Sequence, residues 1–576
     1  MEDDKCPFSV PTQQQKGSEL STAMATSWVV QKFGGTSLGK MPSEIVDIIK
    51  SSLTHQRIAV VCSARSSHTK NEGTTTRLLR AANLAKNHHH FGSTNEIDEI
   101  VDSIKDDHIQ AARSSFQSPG KYEEIVAMEC RVLLNTLKSM QQFTEINLTA
   151  ENEVISTGEK LASQYLSALL EEQGIPTCYI DLSDVVDRYS ITTEVVESNL
   201  YKALTDAFRQ DVSTAGSKVP ILTGYFGNLD SGLLRTVGRG YSDLAAALVA
   251  IGIPASELQI WKEVDGIFTA DPRKVSTARL LPTVSPGEAA ELTYFGSEVI
   301  HPHTMDQVIR AKIPIRIKNV RNPTGNGTVI VPDSPTDGIT PAPEKSGLLI
   351  SRGPSSMDLQ NLEVPKSPTA ITVKRSVLVL NLSSNKTTRA HGFLSRIFQV
   401  LDTHHLSVDL IASSEIHVSL ALHCEPQLHT SITYGPSETS KDTSTIVANE
   451  SLQRACSDLE HLGSVNLATD MAIISLVGRN LKHMIGISGK FFRVLGKEGV
   501  NIEMISQGAT FASSLALPFI VSFLFIGFLG PRVRQIADDQ NFNLGASEIN
   551  ISCVVRESDA DRALGVVHTN LFTFPE

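Results

Sequence analysis

The stretch Trp28-Val29-Val30-Gln31-Lys32-Phe33-Gly34-Gly35-Thr36-Ser37 decides the fold class. Its first half is a short, almost continuous apolar run, the pattern of a strand covered on both faces in a parallel sheet. The run then breaks at a glycine pair. Without Cβ atoms, backbone N–H groups there can approach a polyphosphate closely, and the neighbouring lysine can neutralise phosphate charge. The GxxxxGK[ST] spacing of a Walker A loop is absent. A plain strand-ending turn is the competing reading of a glycine pair taken alone.

Working outward, similar runs recur as IAVVCSA (58–64), PTCYIDLSDVV (176–186), VPILTGYFG (219–227), QIWKEV (259–264) and PIRIKNV (314–320), separated by amphipathic stretches. This alternation predicts an α/β domain with a largely parallel, buried sheet over residues 27–331. A Pro/Ser-rich linker follows over 332–370, with one short strand, GLLIS (347–351), expected inside it. Residues 1–26, acidic and then polar, are expected to be disordered and carry neither a secretory signal nor a transit peptide.

The whole chain has 576 residues, enough for three or four domains. Its 41% apolar and 20% charged composition is globular, and the net charge of -12 argues against a general nucleic-acid binder. Seven dispersed cysteines with no CxxC pair suggest neither zinc nor disulfides, so a reducing, cytoplasmic setting is expected. His88-His89-His90 has no companion ligand cluster and reads as a loop or helix end.

After the linker a βαββ pattern occurs twice. The first copy runs SVLVLNL (376–382), a helix from Gly392, LSVDLIAS (406–413) and EIHVSLALHC (415–424). The second runs MAIISLVG (471–478), GISGKFFRVLGKEG (486–499), VNIEMIS (500–506) and SEINISCVV (547–555), with a helix after it. Two units, 371–465 and 466–576, are expected. Leu394, Ile397, Phe398 and Leu401 recur at helical spacing and should share one buried face.

The second copy is interrupted at 510–546. Thr510 to Gly530 carries no charge and is long enough for a membrane span. The rival reading starts from Gly508-Ala509, which recurs as Gly545-Ala546. Excising residues 510–546 joins ISQGA directly to SEINISCVV and restores a tight hairpin, whereas a span would tear a small sheet apart. The segment is therefore read as extraneous to the fold, for example translated intron sequence, and no membrane association is expected.

Three further motifs carry chemistry. In GRGYSDLAA (238–246) a second glycine turn opens a helix; Asp243 lies in its first turn, where a carboxylate can serve as a cap or at a site. In STGE (156–159) Ser156 and Glu159 have the spacing of a capping box. The loop WKEVDGIFTADPR (261–273) is rich in charge and can hold a nucleotide or simply face solvent.

In their order KFGGTS (32–37), VVCSA (60–64), STGE, GRGYSDLAA, DGIFTADPR and the two βαββ units closely resemble aspartate kinase, over roughly residues 27–572 without the 510–546 segment. Lys262-Glu263 and a long insertion in the N-terminal lobe are similar to the fungal, threonine-sensitive branch. The resemblance implies the amino acid kinase fold, an αβα sandwich with a mainly parallel sheet, followed by two ferredoxin-like βαββαβ ACT units. It implies transfer of the ATP γ-phosphoryl group to the β-carboxylate of L-aspartate. Mg2+ would be carried by the nucleotide, with no metal ligand set of the chain's own.

By the same resemblance Lys32 contacts the transferring phosphate and Asp243 orients the catalytic lysines. Gly34, Gly35, Ser37, Gly240 and Ser242 cradle phosphate, and Lys262, Glu263, Phe268, Asp271, Arg273 and Arg321 border the nucleotide. Ser63, Thr75 and Glu159 contact aspartate, Glu159 through the α-ammonium. Gly392, Asp409, Asn501 and Gln507 match effector positions, for which threonine is the implied amino acid, and the ACT units imply a homo-oligomer. Two departures stand out. Asp181-Leu182-Ser183 lacks an arginine that many bacterial members carry for the α-carboxylate, and Lys262-Glu263 replaces Thr-Asp. Enzymes for N-acetylglutamate, glutamate, carbamate or UMP share the kinase fold, but the ACT pair and GSEVIHP (296–302) favour aspartate; a non-catalytic amino-acid sensor is the alternative from another class.

Overall fold

The computed structural model describes residues 27–66, 73–86, 94–142, 148–191, 197–227, 240–296, 302–331, 367–384, 392–414, 417–423, 450–479, 484–507 and 549–573, together with Leu233, Ile300 and Leu481. The N-terminal segment, most of the linker with GLLIS, the His88–His90 run and the 510–546 interruption lie outside these residues. The chain divides into two compact units.

The first unit comprises residues 27–267, 282–286 and 303–331. Its sheet contains β1 (Trp28–Phe33), β2 (Arg57–Cys62), β3 (Thr177–Ile180), β4 (Val219–Thr223), β5 (Glu257–Lys262), β6 (Thr283–Val284), β7 (Ile315–Asn319) and β8 (Thr328–Ile330). The order is β3-β4-β2-β1-β5-β7-β8-β6, parallel throughout except where β8 runs against β7. Val29, Val30 and Phe33 of β1 and Ile58 to Cys62 of β2 are buried, as the continuous apolar runs require of strands covered on both faces. Helices Thr94–Ser115, Gly120–Gln142 and Leu148–Glu172 build a second layer around Phe116, Tyr122 and Tyr165, whose ring centroids lie 5.2–5.6 Å apart. In register, Phe33 pairs with Cys62 and with Trp261, and Cys62 pairs with Thr223. The loops after β1, β2, β4 and β5 therefore leave from one carboxyl edge, where open α/β sheets gather ligands.

The second unit comprises residues 268–281, 287–302 and 367–573. Residues 268–281 and 287–302, which the sequence places in the catalytic domain, group here through specific bonds. Ile371 N–H donates to Thr269 O at 2.8 Å, Thr269 Oγ1 meets His568 Nε2 at 2.8 Å, and Thr372 Oγ1 donates to Phe295 O at 2.9 Å. The sheet is built from β9 (Ala370–Ser384), β10 (Val408–Ser413), β11 (His417–His423), β12 (Gly463–Val477), β13 (Met504–Gln507) and β14 (Asn550–Arg556), in the order β10-β11-β9-β12-β14-β13. Both expected repeats are present, but β9 and β12 are fifteen residues long and serve both halves. The expected boundary at 465/466 thus falls inside β12. AITVK (370–374) and GSVNLA (463–468) extend strands that the sequence reading began at Ser376 and Met471. The handover is marked by a register shift around Met471 and by positive φ at Ser376 and Asp470.

Helices Phe393–Thr403 and Glu450–Glu460 cover one half-sheet through Ile397, Leu401, Leu452 and Leu459; Ile487–Lys497 and Ala560–His568 cover the other through Phe491, Leu495, Leu564 and Val567. Of the four positions expected on one buried face, Ile397 and Leu401 are fully buried, Phe398 is half-buried and Leu394 is 36% exposed. The buried stripe is therefore narrower than the periodicity suggested, because only the i, i+4 pair lies flat on the sheet.

Among the described residues no helix is long and apolar enough to cross a membrane. Gln507 stands opposite Ile551 and Ser506 opposite Ser552 in the antiparallel β13–β14 pair. Removing residues 510–546 would leave Gly508-Ala509-Ser547-Glu548-Ile549 between these strands, an ordinary hairpin connection of five residues. The shortened protein is expected to give several-fold more soluble product, with turnover within about twofold of the full chain. Loss of solubility or of activity on deletion would show that the pairing depends on the segment.

Candidate active site

Lys32 is the penultimate residue of β1, and Asp243 lies in the first turn of helix Tyr241–Gly252. Gly240 turns the chain into that helix at φ +110°, a conformation side chains resist. The Lys32 ammonium reaches Asp243 Oδ1 at 2.6 Å, with the two side chains 9% and 8% exposed. Burying both charges costs desolvation that their attraction only partly offsets, so such a pair is weak evidence for stability and directs attention to function.

The loops around this pair interlock. A Cβ on Gly35 would stand 2.1 Å from Ala64 O, and Ser66 N–H donates to Gly35 O at 2.9 Å, so only glycine lets the turns after β1 and β2 meet. Gly34, beside it, faces open space. Ser37 Oγ donates to Glu263 Oε1 at 2.7 Å, joining the turn after β1 to that after β5. Ser63 and Ser242 share a 2.7 Å hydrogen bond, joining the turn after β2 to the Asp243 helix. Gly224, which sequence reading passed over as part of a strand, is needed here: a Cβ would lie 2.4 Å from that of Ser242.

Glu159 sits in the middle of helix Leu148–Glu172. Ser156 is therefore no N-cap; its hydroxyl donates back to Glu153 O at 2.9 Å, which removes the capping-box reading. The Glu159 side chain accepts hydrogen bonds from the Tyr241 hydroxyl and from the N–H groups of Ala64 and Tyr225, while its Oε2 has no partner among the described residues. Burial, opposed by these donors and by Lys32, pushes its carboxyl up to about 8. Thr75 hydrogen-bonds to the same Tyr241 hydroxyl. Cys62, close by on β2, is pushed up to about 12 by burial and is no nucleophile.

On the opposite flank Lys262 ends β5, and its carbonyl accepts Val320 N–H at 2.9 Å. Trp261 stacks on Phe33, centroids 6.0 Å apart, and the Lys318 ammonium lies over the Trp261 ring at 4.9 Å. Arg321 Nε reaches Met41 Sδ at 3.4 Å, at the start of helix Pro42–Leu53. Asp181, of the stretch lacking the expected arginine, pairs with Lys160 at 3.2 Å and accepts Ser183 N–H.

The first unit thus holds Lys32, Gly34, Gly35, Ser37, Ser63, Thr75, Glu159, Gly240, Ser242, Asp243, Lys262, Glu263 and Arg321, and the bonds above tie most of them into one network. Phe268, Asp271 and Arg273 fall in the second unit, where Arg273 grips Asp271 through two 3.0 Å bonds.

Of the effector positions, Gly392 precedes helix Phe393–Thr403 at φ +78° and faces open space, and Gly486 repeats this before Ile487–Lys497 at φ +81°. Asp409 of β10 is buried and already engaged: Lys374 Nζ lies 2.8–2.9 Å from its oxygens and Tyr294 donates at 3.2 Å. Asn501 is exposed. Gln507 closes β13, and its side chain lies outside the described residues.

The family described as "Amino acid kinase family" matches residues 27–319, and "ACT domain" matches residues 474–516. The aspartokinase of Schizosaccharomyces pombe is 42% identical over 551 residues, 94% of this chain and 92% of its own length. That of Saccharomyces cerevisiae is 41% identical, covering 96% and 94%. Among solved structures, E. coli aspartokinase III in complex with aspartate and ADP (R-state) is similar with a TM-score of 0.65 at 25% identity, over 94% of this chain and 99% of that one. With a buried lysine–aspartate pair at the carboxyl edge of a parallel sheet, a second unit of two interleaved βαββ halves, and relatives matched along almost their full length, this chain is a kinase of the aspartokinase family.

Proposed function

We propose that the protein transfers the γ-phosphoryl group of ATP to the β-carboxylate of L-aspartate, giving 4-phospho-L-aspartate and ADP, and that threonine restrains it through the C-terminal unit. The observation that carries the reading is the Lys32–Asp243 pair standing beside a buried Glu159 with one free oxygen. The E. coli relative, in complex with aspartate and ADP, supports both substrates.

The attacking β-carboxylate is already ionised at neutral pH, so the step needs no general base. One carboxylate oxygen bonds to phosphorus as the bond to the ADP oxygen breaks, and no proton moves. What is left to the protein is alignment and charge stabilisation. Lys32, held by Asp243, meets charge on the transferring group, the open turn at Gly34 admits the phosphates, and Glu159 takes the α-ammonium while Ser63 and Thr75 flank the substrate. An Mg2+ held by the nucleotide's own phosphate oxygens is part of the proposal. Bound there, it would neutralise β- and γ-phosphate charge. A reducing, cytosolic setting is part of the proposal, on the seven dispersed cysteines with no CxxC pair.

Restraint requires an effector that favours an inactive arrangement by differential affinity. The turns at Gly392 and Gly486 and the Asp409 strand are the proposed elements, and a homo-oligomer through this unit is part of the proposal. The test is ADP release with aspartate, glutamate or N-acetylglutamate as acceptor, with and without threonine or lysine. Turnover should require aspartate and fall more than about fivefold with millimolar threonine; lysine, present in the T-state E. coli structure, should leave it nearly unchanged. Turnover with another acceptor, or inhibition by lysine alone, would overturn the corresponding half of the reading.

A further inference from the structure

We infer that Tyr241 is the positioning residue of the substrate's ammonium subsite: its hydroxyl, oriented by Thr75, holds the Glu159 carboxylate where an α-ammonium meets it. This rests on the reading of Glu159 given above. The glycine-rich turn before helix Tyr241–Gly252 ends, unexpectedly for an open cradle, in a bulky aromatic side chain that is 6% exposed. The positive φ at Gly240 brings residue 241 in as the first helical position, with its ring edge-on to Tyr225 at 5.6 Å and 81°. Tyr225 in turn donates from its hydroxyl to Asn152, on the same helix as Glu159 and two turns before it.

The ring is therefore fixed by packing, and its hydroxyl is left to link two other elements. A phenol has one proton to give and lone pairs to accept with. The Tyr241 hydroxyl bonds both Thr75 and Glu159, so Thr75 donates to it and it donates to the carboxylate, a directed chain running from helix Thr74–Lys86 through helix Tyr241–Gly252 to helix Leu148–Glu172. Among the described residues the charged or titratable groups that act on Glu159 are Lys32 of β1, with its partner Asp243, Cys62 of β2, Tyr225 after β4, and Tyr241. Only Lys32 among them is positive. In a buried place a carboxylate stays ionised only as far as donors and cations favour it, so each donor raises the share of Glu159 ready to take an ammonium. Two of the three donors are the backbone N–H groups of Ala64 and Tyr225, which changing a side chain leaves in place unless proline is introduced. Tyr241 is the adjustable one.

The test is Tyr241→Phe, which keeps the ring and its packing. At pH 7 the KM for aspartate should rise roughly tenfold, with the KM for ATP within twofold and kcat within threefold. The acidic limb of log(kcat/KM) for aspartate against pH should move up by about one unit, so the defect shrinks as pH rises. A merely structural hydroxyl would instead lower the melting temperature and degrade both KM values and kcat together without moving the limb; that result, or an unchanged profile, overturns the assignment. Glu159→Gln, measured alongside, separates the two readings. If it leaves the KM for aspartate unchanged, the ammonium role of Glu159 fails; if it raises the KM while Tyr241→Phe does not, only the role of Tyr241 fails.

Discussion

Lys32→Met is expected to lower kcat by roughly a thousandfold, as read by coupled ADP release at saturating aspartate, while the KM for aspartate rises as well, because Lys32 is the cation that favours the charged form of Glu159. Removing one preorganised group that meets charge in the transition state costs about 10²–10³ in rate, and here the group is a full cation in a water-poor site. Lys32 is also the partner of a buried carboxylate, so its loss touches the fold as well as the chemistry. Breaking such a pair from one side typically costs about 3–5 kcal/mol. The single variant should therefore melt at a clearly lower temperature as well as turn over slowly. Lys32→Met combined with Asp243→Asn removes both charges and should recover much of the melting temperature while staying at least a hundredfold slow. The two residues are in contact, so the stability effects will not add, and that non-additivity measures their coupling. Near-normal turnover in the double variant would take Lys32 out of the mechanism.

The residues differ in how far local sequence could speak for them. The strands of the first unit were legible because burial on both faces writes itself as an uninterrupted apolar run, and the glycine pair at 34–35 because it breaks such a run where backbone N–H groups can approach a phosphate. Even so, the reason Gly35 cannot carry a Cβ is the carbonyl of Ala64, twenty-nine positions later, a contact with no local signature. Glu159 shows the limit from the other side. Ser156 and Glu159 have capping-box spacing, and only the true start of the helix at Leu148 decides against it. The shared strands β9 and β12 were half seen: their strongly apolar parts stood out, whereas AITVK and GSVNLA are strands because of the partners beside them. The grouping of 268–281 with the C-terminal sheet rests on bonds such as Thr269 to His568, some three hundred residues apart in sequence, and nothing in either segment announces it. Tyr241 stood within its motif without a task, since its partners lie on two other helices.

Glu159→Gln should raise the KM for aspartate at least a hundredfold and yet, without ligand above pH 8, make the protein melt at a higher temperature than the wild type. The first effect follows from removing the anion that faces the α-ammonium, a loss of the size seen when one partner of a buried charge pair is truncated. The second follows from proton linkage. Glu159 is raised from 4.5 to about 8, chiefly by burial. Between those values the unfolded chain has already released the proton that the folded chain still holds. Stability is therefore fully present below about pH 4.5, falls as pH rises through this window, and levels off above about 8. Glutamine does not titrate, so that loss is absent: the advantage of the variant should vanish near pH 5 and be largest near 8.5, as melting curves at several pH values will read. The same linkage requires that aspartate, on binding to the wild type at pH 7, displaces close to one proton, because the ammonium brings Glu159 into its charged form. Calorimetry in buffers of different ionisation enthalpy measures that proton directly. A variant less stable than the wild type at pH 8.5, or binding without proton release, would mean that the carboxylate is already charged in the empty enzyme and held so by Lys32.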